Sequence, residues 1–186
     1  RLFMPTLTID GRSVTVPAGS TILDAARSLA IDVPTLCWYP KLPVVGNCRI
    51  CLVQVEGAPK LVASCATAAA DGMRVHTESN DAVKNRQGVL SMLLERYPAD
   101  DIPLTGARNE FEALVHRYDV PTTRRAGLSL REGDDRAGDP IIQHDMSTCI
   151  LCTRCVRACE DIQVVGVLDV AHRGDHTQII VGADGN

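Results

Sequence analysis

Eight cysteines fall into two groups of four, and this arrangement constrains the chain more than any other feature. Cys37, Cys48, Cys51 and Cys65 follow C-x10-C-x2-C-x13-C, and Cys149, Cys152, Cys155 and Cys159 follow C-x2-C-x2-C-x3-C. In a small secreted protein such counts suggest disulfides, but nothing at the N-terminus has the charged-then-apolar layout of a signal peptide, so thiolate chemistry with a metal is the stronger reading. No apolar run approaches the roughly 20 residues of a membrane-spanning helix. A cytoplasmic protein without membrane insertion is expected. A start at Arg1 and a stop at Asn186 suggest a piece of something longer, and Arg124-Arg125 lies too far from the N-terminus to be an export signal. Net charge is −4 with both signs plentiful, which leaves no basic stripe for phosphates and argues against nucleic acid.

The expected fold class is α+β. Thr6–Ile9 and Ser13–Val16 alternate around Asp10-Gly11 and predict a hairpin. Ile22, Ala25, Ala26 and Leu29 share one face of a helix whose start at Thr21 and Asp24 fits a capping box. Prolines and glycine break any period from Val33 to Asn47, where Cys37 lies. Strands at Leu52–Val55, Leu61–Ala63 and Met73–His76 complete a β-grasp sheet. A long helix runs from Ser79 to Tyr97 with Val83, Val89, Leu90, Met92, Leu93 and Leu94 as its apolar stripe, ended by Pro98. Glu110–Tyr118 predicts a short helix on Phe111, Leu114 and Val115, and 121–140 is rich in Arg, Gly and Asp. The chain therefore divides into a β-grasp 2Fe–2S ferredoxin-like domain (1–97), a helical and irregular linker (98–140) and the first half of a bacterial-ferredoxin-like 4Fe–4S domain (141–186).

The cluster assignments rest on spacing. Plant-type 2Fe–2S ferredoxins use a close C-x2-C pair with one cysteine before and one well after it, the order of Cys37, Cys48, Cys51 and Cys65. Zinc is the competing reading, although four-cysteine zinc sites usually use two short knuckles. Gly46 is placed for close backbone approach to a cluster. Arg49, between two candidate ligands, either favours the more negative reduced state or is a solvated surface arginine. Trp38 and Tyr39 read as plain core rather than as a cluster shield. The second run matches the bacterial ferredoxin pattern, in which the first three cysteines grip one 4Fe–4S cluster and the fourth ligates another. Cys149, Cys152 and Cys155 are assigned to the first and Cys159 to the second, and the missing ligands are expected on further chain. Glu160 stands where a proline often follows the fourth cysteine. The histidines, His76, His116, His144, His172 and His176, form no catalytic set, and no nucleophile motif or phosphate loop stands out.

Val45-Gly46-Asn47-Cys48-Arg49-Ile50-Cys51-Leu52-Val53-Gln54-Val55, with Ala63-Ser64-Cys65 and Asp71-Gly72-Met73-Arg74-Val75, resembles the N-terminal 2Fe–2S domain of three related subunits. These are the complex I large subunit, the diaphorase part of NAD-reducing hydrogenases and the α subunit of soluble NAD-dependent formate dehydrogenases. Cys149-Ile150-Leu151-Cys152-Thr153-Arg154-Cys155-Val156-Arg157-Ala158-Cys159-Glu160-Asp161 resembles the formate dehydrogenase version most. That resemblance implies the electron-transfer part of an oxidoreductase. The remainder of the same α subunit would carry a molybdenum or tungsten pterin, and a diaphorase partner would carry flavin (FMN) and bind NAD. Relatives usually hold an additional 4Fe–4S cluster on one histidine and three cysteines between the two runs, whereas Arg96 to Thr148 contains no cysteine, so that cluster is expected to be absent. A hydrogenase diaphorase or complex I-like subunit is the alternative, and an iron–sulfur redox sensor is the alternative of another class.

Overall fold

The structure is a computed structural model that describes residues 4–122, 130 and 145–182. The expected N-terminal hairpin pairs β1 (Thr6–Ile9) with β2 (Arg12–Thr15), the second strand starting one residue earlier than read from the sequence. Asp10 and Gly11 both take positive φ, 47° and 78°, as the tight two-residue turn that matches strand twist requires. The Asp10 carboxylate also accepts from the Thr77 N–H (2.8 Å) and hydroxyl (2.6 Å), so the turn is tied to a residue 67 positions further along the chain, just beyond the strand that pairs beside Ile9. Helix α1 (Ile22–Ser28) begins in the capping box of Thr21 and Asp24, where each side chain satisfies the other's backbone N–H.

β3 (Leu52–Val55), β4 (Val62–Ala63) and β5 (Arg74–His76) complete a five-stranded sheet of order β2-β1-β5-β3-β4. β1 and β5 run parallel at its centre and every other pair is antiparallel. This is the β-grasp arrangement. Leu7 and Ile9 of β1, Val53 and Val75 pack against Ile22, Leu23, Ala25 and Ala26 of α1, and Cys51 and Cys65 belong to the same core.

Helix α2 (Asn80–Leu94) starts where Ser79 accepts from the Ala82 N–H. Leu90 and Leu94 are buried as expected, but two positions differ from the sequence expectation. Met92 is 72% exposed at the edge of an open cavity it helps to line, while Arg86, on a different face, is fully buried. Residues 98–120, within the span expected as linker, supply much of a second core. There Tyr97, Ile102 and the buried face of α3 (Glu110–Arg117) enclose Leu36, Ile50 and Leu90. Asn109 caps α3, and the buried Glu112 accepts from Tyr97 Oη (2.7 Å) and pairs with Arg108 (2.7 Å). Burial works to raise the Glu112 carboxyl, but these bonds outweigh it and hold the group down at about 2.

The rest of the expected linker (123–129 and 131–140), with Arg124-Arg125 and His144, lies outside the described residues. Beyond it, α4 (Arg154–Arg157) leads into a single π turn (Ala158–Ile162). A hairpin of β6 (Leu168–Ala171) and β7 (Gln178–Val181) packs over Met146 and Val156 through Ile179. Among the described residues no helix is long and apolar enough to cross a membrane.

Candidate metal centres

The first cysteine run converges from three places. Cys37 hangs on the irregular loop before Asn47, Cys48 and Cys51 bracket a tight turn that runs straight into β3, and Cys65 follows β4. Cys37, Cys51 and Cys65 are buried, Cys48 partly so, and none of the eight cysteines is in a disulfide. The thiols form two pairs. Cys51 Sγ lies 3.4 Å from Cys65 Sγ, and the Cys37 and Cys48 thiols are within hydrogen-bond reach, with the Cys37 N–H also donating to Cys48 Sγ at 3.4 Å.

Each pair divides into a donor and an acceptor. The Cys37 thiol donates to Cys48 and pulls it down to about 5 against the effect of burial, helped by main-chain bonds at Ile50, Cys37 and Leu36. The close contact with Cys65 likewise pulls Cys51 down, to about 6. Cys37 and Cys65 are correspondingly pushed up, first by that bond and then by burial. One thiolate of each pair is thus ready for a soft cation at neutral pH, and the second proton is released as metal binds. Two irons that take two thiolates each use this division, whereas one zinc draws four to a point.

Helix α2 holds the Cys48–Cys51 turn in place. Asn85 Nδ2 donates to the Arg49 carbonyl (3.0 Å) and Arg86 Nε to the Ile50 carbonyl (3.2 Å). The Arg86 guanidinium continues to the carbonyls of Leu52 (3.2 Å) and Thr77 (2.7 Å), to Glu78 (2.9 Å) and to Tyr118 Oη (3.1 Å). Its position in a helix read as apolar-faced gave no sign of this. Arg49 is exposed and sits at φ 57°. Gly46 takes φ +59°, a backbone conformation that favours glycine, and among the protein's own atoms a Cβ there would meet Ala66 Cβ at 3.7 Å. Trp38 packs at the edge of the first core under the Arg27 guanidinium (3.8 Å), while Tyr39 is 49% exposed and is not core.

The second run is held more loosely. Cys149 and Cys152 are partly buried, Cys155 is exposed and Cys159 is buried. Cys155 nevertheless feels the charges of Cys152 and Cys159, so three of the four lie within electrostatic reach. The Leu151 N–H turns back to Cys149 Sγ at 3.4 Å. Cys159 lies in the π turn, a distortion frequent at functional sites, and its carbonyl accepts from the Val165 and Gly166 N–H groups. Glu160 is in the same turn, exposed. Every C-x2-C step contains one non-glycine residue in the left-handed region: Arg49, Leu151 and Thr153 at φ 57°, 53° and 58°. Such strain gathers at functional loops, and non-glycine residues leave no mark of it in a sequence. The two runs face one another across a largely apolar cavity of about 310 Å³ whose lining includes both Cys48 and Cys152.

Comparison with known proteins agrees with this geometry. Residues 4–80 match the 2Fe-2S iron-sulfur cluster binding domain, and residues 139–185 match the ferredoxin-like domain of NADH-quinone oxidoreductase subunit 3. The mitochondrial NADH-ubiquinone oxidoreductase 78 kDa subunit of Candida albicans is 39% identical over 96% of this chain and 25% of its own length. The NADP-reducing hydrogenase subunit HndD of Solidesulfovibrio fructosivorans is 39% identical over 92% of this chain and 30% of its own. The chain thus spans about a quarter of the length of the curated relatives it matches. In the crystal structure of an NAD+-reducing NiFe-hydrogenase, one chain matches with a TM-score of 0.78 at 28% identity, over 95% of this chain and 74% of that one. The chain thus carries a 2Fe–2S cluster binding domain followed by a ferredoxin-like 4Fe–4S domain, and along nearly its whole length it is similar to subunits of NADH-quinone oxidoreductases and of NAD(P)-reducing hydrogenases.

Proposed function

We propose that the chain conducts single electrons between a flavin- and NAD-binding diaphorase partner and a second redox site elsewhere in a larger oxidoreductase. Cys37 and Cys48 hold one iron of a 2Fe–2S cluster and Cys51 and Cys65 the other. Cys149, Cys152 and Cys155 supply three thiolates to a 4Fe–4S cluster, and Cys159 supplies one to a second. The pairing of the first four thiols, two by two, is the observation that carries this reading. When bound, each cluster accepts and releases one electron. The protein's part is to present deprotonated sulfur, aim backbone N–H groups at it and keep water from the first site. Functionally, 1–97 is the 2Fe–2S unit, 98–140 the connection, which through residues 98–120 also walls the first site, and 141–186 part of the 4Fe–4S unit.

The second redox site is read as a formate-oxidising molybdenum or tungsten pterin, on the resemblance of Cys149–Asp161 to formate dehydrogenase subunits. A hydrogenase diaphorase is the second reading, supported by HndD and by the NAD+-reducing hydrogenase fold. Purification of the complete complex decides both levels. Iron with labile sulfide and a low-temperature EPR signal of 2Fe–2S type are expected, together with flavin and either molybdenum or tungsten. Nickel in place of molybdenum or tungsten transfers the reading to hydrogenase. Zinc without labile sulfide ends it, and cluster loss on each redox cycle favours a sensor.

A further inference from the structure

We propose that Arg157 is a positioning residue that joins the two cysteine runs and sets a positive charge between their clusters. The inference rests on the electron-transfer reading above. Arg157 is 7% exposed, and its guanidinium spans the two segments. One terminal nitrogen donates both to the Cys37 carbonyl and to the Cys152 carbonyl (3.3 Å), the second donates to the Pro43 carbonyl (2.7 Å), and Nε reaches Thr153 Oγ1 (3.4 Å). A single planar fork therefore bonds the main chain of one candidate ligand from each run, 115 positions apart in sequence.

Its neighbour one helical turn away makes the contrast. Arg154 also reaches back to the first loop, donating to the Trp38 carbonyl (2.8 Å) and lying over the Tyr39 ring, but it has a carboxylate partner in Glu110 at 2.6 Å. Among the described residues no carboxylate pairs with Arg157. A buried guanidinium bonded only to neutral groups is costly unless negative charge lies close by. Two anionic clusters, one on either side, supply that charge. The arginine in turn favours the more negative, reduced state of both, and its rigid fork fixes their separation in a way that a lysine ammonium does not.

The test uses the complete enzyme complex with clusters assembled, and compares the wild type with R157Q and R157K by EPR-monitored redox titration. In the wild type both cluster signals are expected, broadened by spin coupling when both are reduced. In R157Q both midpoint potentials shift downward and the broadening is lost. In R157K, which keeps the charge but not the fork, the potentials stay near the wild type and only the broadening weakens. R157K also serves where R157Q fails to fold. Unchanged potentials and line shape in R157Q, or unchanged broadening in R157K, with both signals present, overturn the clamp and leave the electron-transfer reading standing. A wild-type chain that gives neither signal overturns that reading and the clamp with it.

Discussion

The two cysteine runs carry the same number of thiols but are built on different principles. The first is part of a folded core: Cys51 and Cys65 pack among the β-grasp side chains, and the Cys48–Cys51 turn is bonded from behind by Asn85 and Arg86 of a 15-residue helix. The second sits on a four-residue helix and a π turn, with Cys155 exposed, and among the described residues only Met146, Val156 and Ile179 form its own buried cluster. Part of its geometry comes from arginines that lean on the first run. A site inside a sheet core keeps its shape without metal, whereas a site on short irregular elements gains much of its shape from what it binds.

The sharpest way to break this comparison is to remove one sulfur from each run. Cys51→Ser is expected to abolish the 2Fe–2S EPR signal completely while the fold persists by circular dichroism, because the serine sits in an already packed core. Cys155→Ser is expected to leave the 2Fe–2S signal in place and to remove only the 4Fe–4S contribution. If C155S also erased the 2Fe–2S signal, the first run would not be self-supporting and the contrast would fail.

A smaller effect tests what supports the first run. Arg86→Met fills similar space but leaves the Ile50, Leu52 and Thr77 carbonyls without their donor in a buried setting. A loss on the order of 3–5 kcal/mol in urea unfolding is expected, with weakened 2Fe–2S retention at intermediate denaturant. A loss under about 1 kcal/mol would mean that water replaces the guanidinium, and that α2 does not hold the turn.

How legible these features were in the sequence follows from the same physics. The hairpin at Asp10-Gly11, the Thr21 capping box and α3 over Phe111, Leu114 and Val115 were readable because local signals and tertiary packing agree there. The thiols of the first run could be grouped by spacing, but their two-by-two pairing depends on where β4 returns Cys65 beside Cys51, which no local pattern encodes. Arg86 and Arg157 were missed because an arginine in a helical stretch ordinarily faces water. Their partners are main-chain carbonyls, which every residue possesses and no sequence displays. Met92 erred the other way, since an apolar side chain at helical spacing gives no warning that it borders an open cavity rather than a packed core. The β6–β7 hairpin was not anticipated, although Leu168–Ala171 and Gln178–Val181 are rich in β-branched and aliphatic residues.

The smallest expected effect distinguishes two reasons for a glycine beside the first run. If Gly46 is needed so that backbone and cluster can approach closely, a methyl group there should displace the cluster and change its spectrum. Among the protein's own atoms its Cβ direction meets Ala66 at ordinary contact distance, and the residue is in the left-handed region at φ +59°. On left-handed strain alone, Gly46→Ala costs about 1 kcal/mol, readable as a small shift in the urea midpoint, with the 2Fe–2S EPR spectrum unchanged. An altered spectrum at undiminished stability would mean that the methyl meets the cluster rather than the chain, and would place the first site's open side at Gly46.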